Sequence, residues 1–339
     1  MATTAQNHRP DGQRLSAPIE HDSVSEILQV VRFRGMFICR SELAAPWGFQ
    51  MGGRDFANFH ILLTGKACLE VGSDRRRIWV SAGDLVVLPH GSQHTMRDSP
   101  GSKVLKLEDL IATAKSYRRG TLRAGGDGAK CVLLCGGFNF EERKANPLLA
   151  VLPKVIHLQG RRPGVDAWVR SVFDFLKRES AAGLPGAEAV ITRLADILFI
   201  EALRAHFGSA DSDRPSLSVA LRDPGIGSVL AMLHRYPESD RTLESLSRHA
   251  GMSRTAFATR FAELVGEPPM RYLTRCRVNK AAKLLRNNGV TVQQVAERVG
   301  YDSEPGFSRA FKRLLGISPA EYRRASSSMR SDHRAKSRP

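Results

Sequence analysis

The stretch Leu243-Glu-Ser-Leu-Ser-Arg-His-Ala-Gly251-Met-Ser253 returns as Val292-Gln-Gln-Val-Ala-Glu-Arg-Val-Gly300-Tyr-Asp-Ser303, and this repeat decides how the C-terminal part of the chain folds. The match continues past the turn: Phe257, Phe261, Gly266, Pro269 and Tyr272 recur as Phe307, Phe311, Gly316, Pro319 and Tyr322. The offset is 49 residues before the turn and 50 after it, so the second copy carries one extra turn residue. Self-similarity at a fixed period marks a supersecondary unit used more than once. In the first copy Leu243, Leu246 and Ala250 share one face of a short helix, which ends at Gly251, a residue that tolerates the left-handed backbone needed there. Ser253 then offers an oxygen to cap a second helix whose inward face is Phe257, Phe261 and Leu264. Val292, Val295, Val299, Gly300, Ser303, Phe307, Phe311 and Leu314 repeat that logic. Two short helices joined by a tight Gly turn form a helix-turn-helix unit, predicted over about 243–265 and 292–315.

Around the repeat, charge points to the partner. The 339 residues carry 51 Lys plus Arg against 34 Asp plus Glu, a net +17. Residues 210–339 hold +10 of it and residues 1–209 only +7, so the repeat region is more than twice as positive per residue. Such an excess favours a polyanion, and with two helix-turn-helix units that polyanion is double-stranded DNA. Composition (42% apolar, 25% charged) is that of an ordinary globular chain, long enough for two domains. No apolar run approaches the roughly 18 residues that span a bilayer, and the opening MATTAQNHRPDGQRL lacks the apolar core of a signal peptide. Five cysteines are too few and odd in number for a disulfide scaffold, so a cytoplasmic setting with no membrane partner is expected.

Upstream of the repeat the pattern changes twice. Residues 1–22 are polar and aperiodic, a disordered lead-in. Short apolar runs at Phe59–Leu63, Ala67–Val71, Ile78–Val80 and Leu85–Leu88, separated by Gly, Ser and Asp, predict a β-sandwich or barrel. Ala112–Lys130 has no apolar periodicity and is expected as a long loop. From about 165 to 207 the spacing is helical, with Val190, Leu194, Ile197 and Leu198 forming a stripe that either packs on its own barrel or pairs two copies. Residues 208–220 are a Ser-, Asp- and Gly-bearing linker, and 325–339 a basic disordered tail.

The helical region 221–324 resembles the DNA-binding domain of AraC/XylS-type transcription regulators, most specifically at Ala296-Glu-Arg-Val-Gly-Tyr301, Phe307-Ser-Arg-Ala-Phe311, Gly316-Ile-Ser-Pro319 and Tyr322-Arg-Arg324. The resemblance implies two units, joined by a helix over Met270–Arg286, that enter successive major grooves about 10 base pairs apart. On that geometry the first recognition helix presents Arg254, Thr255, Ala258 and Thr259, and the second Ser303, Ser308 and Arg309. Arg309 suits a bidentate contact to guanine. Lys312, Arg271 and Arg275 suit phosphates, which set affinity and not sequence. Glu304-Pro305-Gly306 departs from the family's pattern: Glu304 repels phosphate and Gly306 weakens the helix, so the second unit is expected to read less sequence.

Gly83-Asp-Leu-Val-Val-Leu-Pro89-His-Gly91-Ser-Gln-His94 is similar to the second cupin motif, and residues 23–207 resemble the cupin-like sensor of one AraC subgroup. Arg34-Gly-Met-Phe37, Ala45-Pro-Trp-Gly48, Cys135-Gly-Gly-Phe138 and Pro147-Leu-Leu149 carry the rest of that likeness. The expected fold is therefore α+β: an N-terminal cupin-like β-barrel with flanking helices, then an all-α domain with two helix-turn-helix units. His60 and His94, with Asn58 and Trp47, are the expected effector-pocket residues, and His60 with His94 the candidate ligands for a metal ion. Two imidazoles fall short of the three protein ligands usual in catalytic zinc sites, so an enzyme is not expected. Some members of the subgroup respond to oxidants such as reactive chlorine species through cysteines, which makes Cys39 and Cys135 redox candidates; Arg40, beside Cys39, is one source of thiolate stabilisation. The alternative is that both thiols are small buried apolar groups. The resemblance implies a homodimeric transcription activator that binds promoter DNA and RNA polymerase and answers a small-molecule or oxidant effector. The rival reading is a metal-dependent cupin enzyme fused to a DNA-binding domain.

Overall fold

In the computed structural model, residues 33–72, 76–118, 120–140, 143–149, 152–160, 167–208, 217–286 and 289–326 are described. The lead-in, most of the linker and nearly all of the basic tail lie outside the described residues. Twelve strands are described: β1 (Phe33–Ala44), β2 (Gly48–Met51), β3 (Ala57–Thr64), β4 (Lys66–Val71), β5 (Arg76–Ser81), β6 (Asp84–Leu88), β7 (His94–Arg97), β8 (Leu105–Lys106), β9 (Ser116–Arg118), β10 (Thr121–Gly125), β11 (Lys130–Phe140) and β12 (Ile156–Gln159). They form a seven-stranded sheet, β12-β6-β3-β11-β1-β10-β9, facing a five-stranded one, β5-β4-β7-β2-β8.

Strand β3 shows why these segments read as plain apolar runs without alternation. Seven of its eight residues are buried, because both faces of the sheet are covered. Leu62 points between the sheets, against Phe49, Leu69, Val86, Met96 and Leu133, and so, by the two-residue period, do Asn58 and His60. Ala57, Phe59 and Ile61 point the other way, into a core shared with the flanking helices.

The segment expected as a loop over 112–130 is not one. It holds the end of helix α1 (Leu107–Ala112) and the hairpin β9–β10, and β10 pairs in parallel with β1 from Arg40↔Thr121 to Ala44↔Gly125. Among the described side chains of this edge hairpin, Leu122 and Ala124 turn inward, too few for a period to be legible.

Helices α2 (Ala167–Ala182) and α3 (Ala187–Gly208) cover the larger sheet. Ile191, Ala195, Leu198, Phe199 and Ala202 are buried, and the Phe199 ring stacks on Phe138 with centroids 4.5 Å apart. The face that packs on the barrel is therefore turned from the predicted stripe: of its four residues Leu198 is buried and Leu194 partly so, while Val190 and Ile197 are exposed. The rest of α3 carries the same apolar cluster onward. Leu203 and Phe207 join Ile226, Val229 and Leu230 of α5 (Pro224–Arg235), which follows α4 (Leu217–Arg222), and then Leu246, Phe257 and Phe261 of the first repeat. The second repeat has its own cluster: Val278, Ala281 and Leu285 with Val295, Val299, Phe307 and Phe311. Ala145, from the barrel side of the chain, is fully buried in it.

Candidate nucleic-acid interface and sensor core

The first unit comprises α6 (Leu243–His249) and α7 (Arg254–Val265). Thr242 and Ser245 form a reciprocal capping box at the start of α6. Gly251 turns the chain at φ +68°, and Ser253 Oγ accepts the Ala256 N–H at 3.3 Å to start α7. With Phe257 and Phe261 inward, Arg254, Thr255 and Thr259 stand exposed on the opposite face and Ala258 is half-buried. Arg260, on the same helix, is committed elsewhere: it donates to Asp223 at 2.6 Å, and Asp223 also caps α5 by accepting from Gly225 and Ile226.

The second unit, α9 (Val292–Arg298) and α10 (Glu304–Leu315), repeats the design with Thr291 and Gln294 as the capping box and Ser303 as the α10 cap. Arg309 and Lys312 are exposed, Ser308 is half-buried, and Glu304 and Pro305 are exposed in the first turn.

Helix α8 (Pro269–Leu285) fixes one unit against the other. Its Arg277 donates to the carbonyls of Pro237 (2.8 Å) and Ser239 (3.0 Å) on the first side and lies over the Tyr301 ring, 5.5 Å from its centroid, on the second. The two sides meet closely: a Cβ on Gly300 would lie 2.3 Å from the Glu238 carbonyl oxygen, so only glycine fits. Arg271 remains exposed, 3.4 Å from Glu267. Arg275 does not behave as expected for a phosphate contact. It turns inward, grips the buried Glu267 with two bonds (2.9 and 3.1 Å) and donates to the Lys144 carbonyl at 2.9 Å. Neither Arg277 nor Glu267 was singled out by the sequence, because a lone Arg on a basic helix looks like its solvated neighbours.

Inside the barrel, Cys39 and Cys135 are cross-strand partners in the β1–β11 ladder. From Cys135 a line of contacts runs through both histidines. Cys135 Sγ lies 3.2 Å from His60 Nδ1, the two Nε2 atoms of His60 and His94 are 2.8 Å apart, and His94 Nδ1 is 2.9 Å from the Ser92 carbonyl oxygen. That carbonyl can only accept, which orders every proton in the neutral chain. His94 Nδ1–H donates to Ser92, His60 Nε2–H donates to His94, and the one Cys135 S–H donates to His60 while Cys39 is a thiol and to the Cys39 sulfur once Cys39 is ionised. Burial, and then the neighbouring His94, hold the His60 pKa well below the usual imidazole value, and burial lowers that of His94. Both rings are therefore neutral.

This donor set does not fit a metal ion. Each Nε2 is engaged with the other, and the remaining His60 lone pair faces a thiol proton. Among the described residues no group of three or more His, Cys, Asp or Glu could hold a metal.

The Cys39 pKa is lowered to about 7, chiefly by its hydrogen bond with Cys135 against the opposing effect of burial, with Ser41 (3.4 Å) adding to the lowering. Arg40 plays no part in this, being engaged with Glu42 and Ser180. The Cys135 thiol is pushed well up by the same hydrogen bond and by burial. Asn58, wholly buried, has neither its amide N–H groups nor its oxygen partnered, and the buried Trp47 indole N–H is likewise without an acceptor. Groups so placed each cost about 1–3 kcal/mol when nothing meets them.

The geometry of two capped helix-turn-helix units behind a cupin-type barrel has counterparts. The cupin family matches residues 22–208 and the helix-turn-helix domain family residues 246–325. Along 90% of its length the chain is 31% identical, over 307 residues, to all of the HTH-type transcriptional regulator AlkR of Acinetobacter baylyi. A Streptomyces lividans protein described as an AraC-like transcription regulator is 30% identical over 89% of this chain and 98% of its own.

The chain belongs to the AraC family of transcription regulators.

A further AraC-family relative is the RCS-specific HTH-type transcriptional activator RclR of Escherichia coli, 28% identical over 89% of this chain and 97% of that one. Among solved structures, the DNA-binding domain of AdpA in complex with a target DNA is 37% identical over 32% of this chain and 97% of that domain, with a TM-score of 0.30. As an AraC-family member with a cupin domain, this chain is a DNA-binding transcription regulator and not an enzyme. No helix among the described residues is long and apolar enough to cross a membrane.

Proposed function

We propose that this regulator is a cytoplasmic, dimeric activator whose barrel interior receives an oxidant and whose two recognition helices read promoter DNA for RNA polymerase. The observation that carries the sensing half is the cross-strand pair Cys39–Cys135 together with the line of contacts that runs from Cys135 through His60 and His94 to Ser92. It joins a thiol with a pKa of about 7 to a second thiol with a proton acceptor in place. Hypochlorous acid is the oxidant class used as probe. The Cys39 thiolate takes its chlorine to form a sulfenyl chloride and releases hydroxide. Cys135 sulfur then displaces chloride, the S–S bond closes, and the Cys135 proton passes to His60 Nδ1. The two thiols lose two electrons and the oxidant ends as chloride and hydroxide. The name of the relative RclR, an RCS-specific activator, supports this reading.

On the DNA side, Arg254, Thr255, Ala258 and Thr259 read the first half-site and Ser308 and Arg309 the second; Lys312 and Arg271 take phosphates, and Ser303 acts as helix cap. Arg275 is withdrawn from that set. A second reading of the barrel has an observation of its own: the unpartnered Asn58 amide and Trp47 indole favour a small ligand bearing one polar group on an apolar body.

Binding to DNA from the chain's own upstream region, with reduced and hypochlorite-treated protein at fixed salt, tests the proposal. Oxidation is expected to change specific affinity, and Cys39→Ala or Cys135→Ala to abolish the change. Alkylation of Cys39 should be half-maximal near pH 7. Specific binding that ignores oxidant overturns thiol sensing and leaves the small-ligand reading.

A further inference from the structure

The segment 143–149 lies between the barrel and the DNA-binding domain and is tied to both. On the barrel side, Arg143 donates to the carbonyl of His90, in the Pro89–His94 turn that also supplies Ser92 to His94. His90 in turn reaches the Leu152 carbonyl at 2.9 Å, just beyond the segment. The buried Asn146 accepts from the N–H groups of Leu148 and Leu149, which hold the segment's far end in the barrel-side core. On the DNA-binding side, the Lys144 carbonyl accepts from Arg275, and Ala145 is fully buried among the apolar residues of α8, α9 and α10. The Lys144 ammonium sits 4.0 Å from where a Cβ on Gly316 would be, beside the C-terminal end of recognition helix α10, where a cation is favoured.

We propose that residues 143–149 form a coupling strap that transmits the state of the Pro89–His94 turn to helix α8 and thereby sets how the second unit is held against the first. Arg275 and Glu267 are its positioning residues at the DNA-binding end and Arg143 at the sensor end. The contacts are contiguous: Cys135, His60, His94 and Ser92 reach the turn from inside the barrel, and His90, Arg143, Lys144 and Arg275 leave it toward α8. A buried Nη1 of Arg143 has no acceptor among the described residues. Each element here is buried or bonded at both ends, so a shift of the turn has to move the strap or break a bond. What the barrel senses rests on the reading above; the coupling does not.

The test uses the full chain and two variants: Glu267→Met with Arg275→Met, which removes the buried pair together so that neither charge is left unpaired, and Arg143→Met. Amide hydrogen exchange is followed at residues 89–94 and 143–149, and DNA affinity is compared between reduced and hypochlorite-treated protein. The double variant should raise exchange about tenfold in 143–149 and carry the rise into 89–94. In both variants the ratio of treated to reduced affinity should fall to near one, while reduced protein keeps its affinity within about fivefold. Loosening confined to 143–149, with the 89–94 turn unchanged, overturns the strap; so does a wild-type affinity ratio kept in both variants. If wild-type binding itself ignores hypochlorite, the sensing reading fails, and the exchange measurement still decides the coupling. Should the double variant fail to fold, Arg143→Met decides the same question from the other end, through exchange in α8.

Discussion

The first helix-turn-helix unit shares one broad apolar core with the barrel, whereas the second has its own core, which the barrel side enters through the buried Ala145 of a strap hydrogen-bonded to α8. Phe257 and Phe261 belong to one apolar cluster with α3 and the outer face of the larger sheet. Phe307 and Phe311 sit in a separate cluster, joined to the barrel side through Ala145, with the Lys144 carbonyl bonded to Arg275 of α8. The repeat thus copies a scaffold twice, while the surroundings assign the two copies different mechanical parts. Apolar contacts are non-directional and hold the first unit to α3 through small shifts, whereas hydrogen bonds at fixed geometry can be exchanged for others. The copies differ at their tips as well: the first presents Arg254, Thr255 and Thr259, the second Glu304, Pro305 and Arg309.

The largest effect that could break this comparison is a core truncation in each unit. Phe261→Ala should cost about 3–5 kcal/mol and lower the stability of α3 and the barrel along with the first unit. Phe311→Ala should cost a similar amount and leave barrel melting unchanged. Scanning calorimetry with a barrel-specific probe decides it: equal barrel destabilisation by both would mean that the units are anchored alike.

Acid should separate the units next. Tyr272 of the first bonds His234 Nε2 at 2.6 Å, whereas its counterpart Tyr322 bonds Arg286 at 3.0 Å. Burial, and then Lys283, lower the His234 pKa from 6.5 to about 4. The unfolded chain therefore binds a proton between those values that the folded chain refuses. Stability is intact above pH 6.5 and falls as pH drops toward 4, by at most about 3 kcal/mol. Arg286 stays charged throughout, so amide exchange should accelerate in α5–α8 and not in α9–α10; equal acceleration would remove His234 as the cause.

Base reading sharpens the contrast at smaller scale. Arg254→Ala and Arg309→Ala should each lose about 1–3 kcal/mol of discrimination at one half-site, seen as relaxed preference in competition against mutated half-sites. Uniform weakening on all DNA would reassign the residue to phosphate. The smallest effects fall at the edges. Lys312→Ala should reduce the salt slope by about one without changing preference. Glu304→Gln should tighten binding while costing the α10 N-terminus about 0.3–1 kcal/mol; unchanged affinity would mean that Glu304 faces away from the duplex.

Much of this was legible in the chain because the signals are local. A glycine at a helix end, a serine before a run of spaced phenylalanines and a 50-residue echo act within a few residues of themselves. Strand alternation likewise puts Asn58 and His60 on one face of β3, since it orients side chains without help from distant contacts. The edge hairpin over 116–125 was missed because only two of its described side chains turn inward.

By itself, then, the sequence determined two capped helix-turn-helix units, a basic C-terminal region and a strand-rich N-terminal domain, all of them products of periodicity, capping and charge. Tertiary structure alone decided the rest. The Cys39–Cys135 pairing depends on the register of strands nearly a hundred residues apart, and the order of protons through His60 and His94 on a single carbonyl at Ser92. Whether Arg275 meets phosphate or Glu267 depends on a strap 131 residues upstream, where the Lys144 carbonyl accepts a hydrogen bond from its guanidinium. Such choices are made by burial and hydrogen-bond geometry between segments far apart in the chain, and no local pattern records them.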